Sequence, residues 1–250
     1  MLVTSQSGGS GEVLRMIEMG LLHPPASGLT LEGDSPLARA LPSLVGTGGS
    51  ELAYAATRSQ LITLAQHGAL LEALGLDITD SLSVLHEGPL KADLSDTVAV
   101  LTQAPVAVMV AHGAAAQGAM DAAAHCLMET VRMPVLGLEA GQFRHGPFEM
   151  IQPDTAVIML RSAGEAVVVR SLHQAGECVS FGITRIVIGA SGRARVAGTI
   201  IVALKKRGGL ALAFAALPVV QEIIVSAAAM RLPNTGVPQR STKIASAEVA

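Results

Sequence analysis

The sequence predicts an α/β fold built on parallel sheets. Three observations lead there. Short aliphatic runs alternate with longer stretches of helical period along the chain. Several runs, such as Val106–Ala111 and Ala156–Leu160, are aliphatic throughout rather than alternating, as in strands covered on both faces. A strand, Ser-x-Gly turn, helix pattern occurs at Leu2–Gly8 and again at Val157–Gly164.

Taken in order, Met1–Val3 is a short strand, and Thr4-Ser5-Gln6-Ser7-Gly8-Gly9-Ser10-Gly11-Glu12 a polar turn. Val13–Met19 continues as a helix. His23-Pro24-Pro25 breaks it. Leu29–Leu31 gives a strand, Asp34–Arg39 a turn opening a short helix, and Leu41–Val45 a further apolar piece. A second glycine-rich turn, Gly46–Glu51, feeds a helix expected from about Leu52 to Leu74, closed near Gly75. Residues 77–98 read as a connecting helical segment, capped around Asp77–Thr79 and interrupted at Glu87-Gly88-Pro89. The boundary is placed there, with one domain at 1–90 and a second at 91–250. Residues 104–111 form a buried strand, followed by a helix to about Arg132, a loop at 135–152 and a strand at 155–161. The expected remainder is a helix from Ala166 to Ser171 and onward, a strand at Arg185–Gly189, a helix at Ile200–Lys206, a strand at Leu210–Phe214 and a helix at Val219–Leu232.

Half the residues are hydrophobic, yet aromatics make up 2% and Trp is absent, so the core must be aliphatic. That composition argues against an aromatic platform for stacking bases. A formal net charge of −3 gives no basic footprint, so nucleic acid is not an expected partner. Cys126 and Cys178 form no disulfide or metal pattern, and a reduced, cytoplasmic setting is the default. No metal or cofactor is expected. The longest stretch without a charged side chain, Thr97–Met120, changes character midway and reads as strand, loop and helix start. The apolar run Gly208–Val220 is too short to span a bilayer. No membrane association is expected.

The opening turn is the first candidate site. A hydroxyl- and glycine-rich turn between strand and helix lies at a helix N-terminus, where unpaired N–H groups and the dipole favour an anion. Ser5, Ser7 and Ser10 add hydroxyl donors. Taken alone, the pattern fits a phosphate cradle and an empty Ser/Gly cap equally well. A dinucleotide fingerprint is excluded, because Gly8-Gly9-Ser10-Gly11 lacks the G-x-G-x-x-G spacing.

Three motifs occur in order along the chain. Ser5-Gln6-Ser7-Gly8-x-Ser10-x-Glu12 opens it, Glu129 precedes Gln142-Phe143-Arg144-His145-Gly146-Pro147, and Lys243 lies in a Pro-x-Arg-x-x-Lys tail. Together they resemble the sugar isomerase (SIS) domain family. The nearest likeness is to the isomerase half of glucosamine-6-phosphate synthase and its stand-alone relatives. The resemblance implies two tandem SIS units, each a parallel sheet sandwiched by helices (flavodoxin-like), the first N-terminally incomplete. It implies a phosphorylated sugar as ligand, held by Ser5, Gln6, Ser7 and Ser10, with Glu51–Thr57 approaching it and Thr57 among the phosphate contacts. It makes Glu129 the proton-shuttling carboxylate and His145 the ring-opening histidine, acting across a homodimer interface. Lys243 becomes the tail lysine that forms a Schiff base with the sugar carbonyl. An aminotransferase, isomerase or deaminase reaction on an amino-sugar or ketose 6-phosphate is the implied activity, with no glutamine-hydrolysing domain to supply ammonia.

These residue types suit that chemistry. Interconverting a ketose and an aldose moves a proton between adjacent carbons, which one carboxylate can do. A lysine imine acidifies the neighbouring C–H, and a histidine titrates near neutrality. The sequence departs from the family pattern at Cys126 (a lysine in the family), Gln142 (commonly glutamate) and Ala56 (a serine at the phosphate). Two readings stay open: an enzyme, or a catalytically silent phosphosugar sensor or inactive fragment. Glu129 could be a solvated helix charge, His145 a loop histidine and Lys243 a solvated tail lysine. His112 and His125 read as incidental.

Overall fold

The computed structural model describes residues 1–88, 90–162, 178, 180–190 and 198–244. The expected helix at Ala166–Ser171 and the end of the second Ser-x-Gly turn lie outside them. The chain forms two compact units: Met1–Asp77 with the tail from Gly236, and Ile78–Thr235.

The first unit is a three-stranded parallel sheet of β1 (Leu2–Thr4), β2 (Ser27–Thr30) and β3 (Ser43–Val45), in that order. Pairing runs on into the opening turn, since Ser5 N–H donates to the Leu29 carbonyl and Leu31 N–H to that of Gln6, each at 2.9 Å. Helices α1 (Gly11–Glu18) and α2 (Pro36–Ala40) connect the strands. Ser35 caps α2, its Oγ accepting from Ala38 N–H at 3.2 Å, with Pro36 inside the first turn. Val13, Ala26, Leu37 and Leu41 close the core between these helices and the sheet, joined by Val3, Ile17 and Leu22. Helix α3 (Arg58–Ala73) is tied to the sheet through Gln66, whose Nε2 donates to the carbonyls of Thr30 (3.0 Å) and Leu44 (2.8 Å). A Cβ on Gly46 would come within 2.5 Å of Leu31 and 2.8 Å of Ile62, so only glycine permits this approach. Helix α3 starts at Arg58 rather than near Leu52, because Glu51 folds back to cap it.

The second unit holds α4 (Thr79–Leu85), α5 (Ser95–Gln103), β4 (Ala107–Ala111), α6 (Ala114–Val131), β5 (Val135–Glu139), α7 (Ala140–Arg144), a 3-10 turn (Pro147–Met150), β6 (Ala156–Arg161), β7 (Arg185–Ala190), β8 (Thr199–Leu204) and α8 (Gly209–Arg231). Its sheet is parallel with order β5-β4-β6-β7-β8, the doubly wound arrangement with the first strand inside the second. Val108, Val110, Val157, Met159 and Val187 face one core cluster, closed by Phe143, Cys178 and Ile183. Helices α6 and α8 pack on each other, with α4 and α5 against α8.

Four expectations are corrected here. Ile200–Lys206 is not a helix, since β8 occupies 199–204 with the β-branched run Ile200-Ile201-Val202 at the sheet edge. Leu210–Phe214 is not a strand but the first turns of α8, a 23-residue helix that contains Pro218 without ending there. Thr97–Gln103 is helix, so the long uncharged stretch begins in α5. Residues 135–139 are strand rather than loop, with Glu139 as N-cap of α7. Helix α8 is long and apolar enough to cross a membrane by length and composition, but 67% of its most apolar window is buried inside the protein, as in a core helix. Arg207, buried at the β8–α8 connection, pairs with Asp80 at 3.2 Å and with Glu87, pinning α4 and the segment after it.

Candidate active site

In the first unit the opening turn takes the form of a cradle. Gly8 has a φ of +60°, and a Cβ there would sit 2.2 Å from Ser35 Oγ, so the turn requires glycine. Ser5 Oγ accepts from Gly8 N–H at 3.2 Å and Ser7 Oγ from Gly9 N–H at 3.3 Å. Each hydroxyl therefore spends a lone pair on the turn and keeps its own proton to donate elsewhere. Ser10 is the N-cap of α1, yet its side chain makes no capping bond, leaving the first N–H groups of α1 without a side-chain acceptor. Ser5, Gln6, Ser7 and Ser10 are all half-buried.

The second glycine-rich turn adjoins this cradle. Ser50 Oγ donates to the Gln6 carbonyl at 3.4 Å, and Ser50 N–H donates to Glu32 Oε1 at 2.6 Å. The Ser50 hydrogen bonds hold the Glu32 carboxyl below the usual range. Glu51 then receives Thr57 N–H (2.7 Å), Thr57 O–H (2.6 Å), Ser59 N–H (3.1 Å) and Ser59 O–H (2.8 Å). Burial alone would raise its pKa, but these four bonds outweigh that and lower it to about 2. The N-terminus of α3 thus already holds an internal carboxylate. Thr57 gives its hydroxyl proton to that carboxylate.

Lys243 joins the same group, its Nζ donating to the Tyr54 carbonyl at 2.8 Å, while Ser241 Oγ and Tyr54 Oη share a hydrogen bond. The first unit therefore brings together the cradle, the 46–51 turn, the start of α3 and the tail lysine. Tyr54 and Ser241 were not singled out in the sequence, since only the fold joins the tail to residue 54.

Glu129 and His145 belong to the second unit. Glu129 is exposed near the C-terminal end of α6. His145 follows α7 and is exposed, with Nε2 3.4 Å from Arg144 Nη2. Its segment is anchored by Phe143, which is fully buried and meets Phe148 edge-on with ring centroids 5.4 Å apart. Phe143 thus ties the segment that carries His145 to the core. His112 Nδ1 lies 2.7 Å from Glu139 Oε1. The described residues contain no cluster of three or more His, Cys, Asp or Glu suited to a metal ion.

Solved structures share this architecture over nearly the whole chain. A tagatose-6-phosphate ketose/aldose isomerase from Escherichia coli superposes with a TM-score of 0.72 at 19% identity, covering 94% of this chain and 69% of that one. The C-terminal domain of glucosamine-fructose-6-phosphate aminotransferase from Francisella tularensis gives 0.74 at 14% identity, with 96% and 73% covered.

The fold is that of the SIS-domain phosphosugar isomerases.

A glucosamine-6-phosphate deaminase from Thermotoga maritima fits the same SIS fold, with a TM-score of 0.71 at 19% identity and 97% and 74% covered. No family model and no curated protein matches the sequence. At these identities the likeness is one of fold.

Proposed function

We propose that the chain binds a sugar 6-phosphate and catalyses an isomerase, aminotransferase or deaminase reaction on it, as two tandem SIS units. The observation that carries this reading is the cradle at α1. It combines the Ser5 and Ser7 hydroxyls, which accept from the turn and retain their own protons, an N-cap without a side-chain bond and the adjoining 46–51 turn. An anion suits that end of a helix, and a phosphate remote from the reacting carbons can hold them in place. The names of the three similar structures, each a sugar 6-phosphate enzyme, support the same ligand class.

In this reading Ser5, Gln6, Ser7 and Ser10 take the phosphate. Thr57, which the family resemblance sets at the phosphate, lines the wall of the site, held by Glu51. The Lys243 amine adds to the sugar carbonyl with loss of water, and the imine acidifies the adjacent C–H. Glu129 takes that proton and returns it to the neighbouring carbon, while His145 carries the ring-oxygen proton. Water then releases the product and Lys243. The protein acts as a cytoplasmic homodimer, His145 serving the partner's site.

Turnover of fructose 6-phosphate with ammonia, and of glucosamine 6-phosphate, tests this directly in wild type and Glu129→Gln. Activity should be present in the first and reduced at least 100-fold in the second. Binding without turnover in both would favour the silent sensor. Cys126 in place of the family lysine, one turn before Glu129, is the feature that favours that second reading.

A further inference from the structure

The second glycine-rich turn is held from two sides by charged groups that the proposed reaction does not use. On one side is Arg58, the first residue of α3. Its Nη1 donates to the Gly48 carbonyl at 3.0 Å, and its Nη2 to the carbonyls of Gly49 at 3.2 Å and Ser50 at 3.4 Å. On the other side is Glu32, whose Oε1 accepts Ser50 N–H at 2.6 Å. A cation in the first turn of a helix opposes the helix dipole, so Arg58 stands there against local preference. Its charge is spent on the turn instead.

The backbone of the turn fits that role. Gly48 and Gly49 have φ of +90° and +65°. A Cβ on Gly48 would sit 2.6 Å from Arg58 Nη1, so the guanidinium rests against the backbone at a position that only glycine allows. Successive glycines lose much conformational freedom on folding, and a turn built from them needs an outside hold. A guanidinium offers a rigid fork of N–H groups that meets several carbonyls at once, where an ammonium is a point charge.

The turn reaches the cradle through Ser50. Its Oγ donates to the Gln6 carbonyl at 3.4 Å, from the side opposite to no other helix of the site, and Leu31 N–H holds the same carbonyl to the sheet at 2.9 Å. The Gln6 carbonyl and the Ser7 N–H share one peptide plane, so whatever holds the carbonyl aims the N–H.

We infer that Arg58 is a positioning residue for the anion seat at α1. By clamping the carbonyls of residues 48–50 it keeps Ser50 on the Gln6 carbonyl and the cradle in the shape that receives a phosphate. The inference rests on the proposed reading of the cradle. Arg58 is exposed, so its truncation leaves the core intact.

The test joins a ligand-free measurement to a binding one, both on the full-length protein. Amide hydrogen exchange reads the Ser50 N–H, which should exchange faster by about tenfold in Arg58→Ala than in wild type. Calorimetric titration with fructose 6-phosphate should show binding weakened about tenfold in the same variant. Arg58→Lys, which keeps the charge without the fork, should stay as weak. Millimolar guanidinium chloride should restore Arg58→Ala in both measurements, and sodium chloride at equal ionic strength should not. Unchanged Ser50 exchange in Arg58→Ala, full affinity in Arg58→Lys, or rescue by sodium chloride would overturn the inference. Wild-type affinity that Arg58→Ala retains would overturn it and leave the cradle reading standing. A wild type that does not bind fructose 6-phosphate would overturn the cradle reading and the role of Arg58 together.

Discussion

Glu51 and Gly8 decide the local shape of the cradle region, and each makes a test. The Glu51 carboxyl has its pKa lowered from 4.5 to about 2 by bonds from Thr57 and Ser59. A depressed folded-state pKa adds stability above the free value that fades as pH falls through the folded value. Urea unfolding of wild type and Glu51→Gln should therefore differ most near neutrality, and the difference should shrink between about pH 4.5 and pH 2. A constant difference would mean that the hydrogen bonds do not set its stability. At Gly8 the positive φ and the 2.2 Å approach to Ser35 Oγ make Gly8→Ala costly, by more than about 1 kcal/mol. Gly9→Ala is the control. Its nearest neighbour would be 3.8 Å away, and its cost should stay within about 0.5 kcal/mol. Equal denaturation midpoints for the two variants would contradict the geometry.

At the scale of elements, the segment that presents His145 depends on one buried ring. Phe143→Ala should cost about 3–5 kcal/mol, because the ring is fully buried among Val108, Val110, Val157 and Met159. Calorimetric melting measures that, and a loss below about 1 kcal/mol would show that another contact holds the segment. The same elements show what sequence can and cannot tell. Strands β4 and β6 were legible because turn residues bound each aliphatic run. The stretch from β8 to α8 was misassigned because Ile200–Leu204 and Leu210–Leu217 contain no polar residue to mark a period of two or 3.6. The start of α3 was set too early, since only the folded turn shows Glu51 reaching Thr57 and Ser59.

Over the whole molecule, the cradle was legible because its residues are contiguous. The pairing of Lys243 with the Tyr54 carbonyl and of His112 with Glu139 was not, because tertiary contact brings together residues distant in the chain. The tail from Gly236 belongs to the first compact unit for that reason. The central claim is the anion seat proposed at α1. The most direct measurement is calorimetric titration of the protein with fructose 6-phosphate and with fructose, repeated for Ser7→Ala. The account predicts binding of the phosphorylated sugar at least tenfold tighter, about 1.4 kcal/mol, and loss of that preference in Ser7→Ala. Equal affinity for the two sugars, or a preference that Ser7→Ala leaves unchanged, would contradict it.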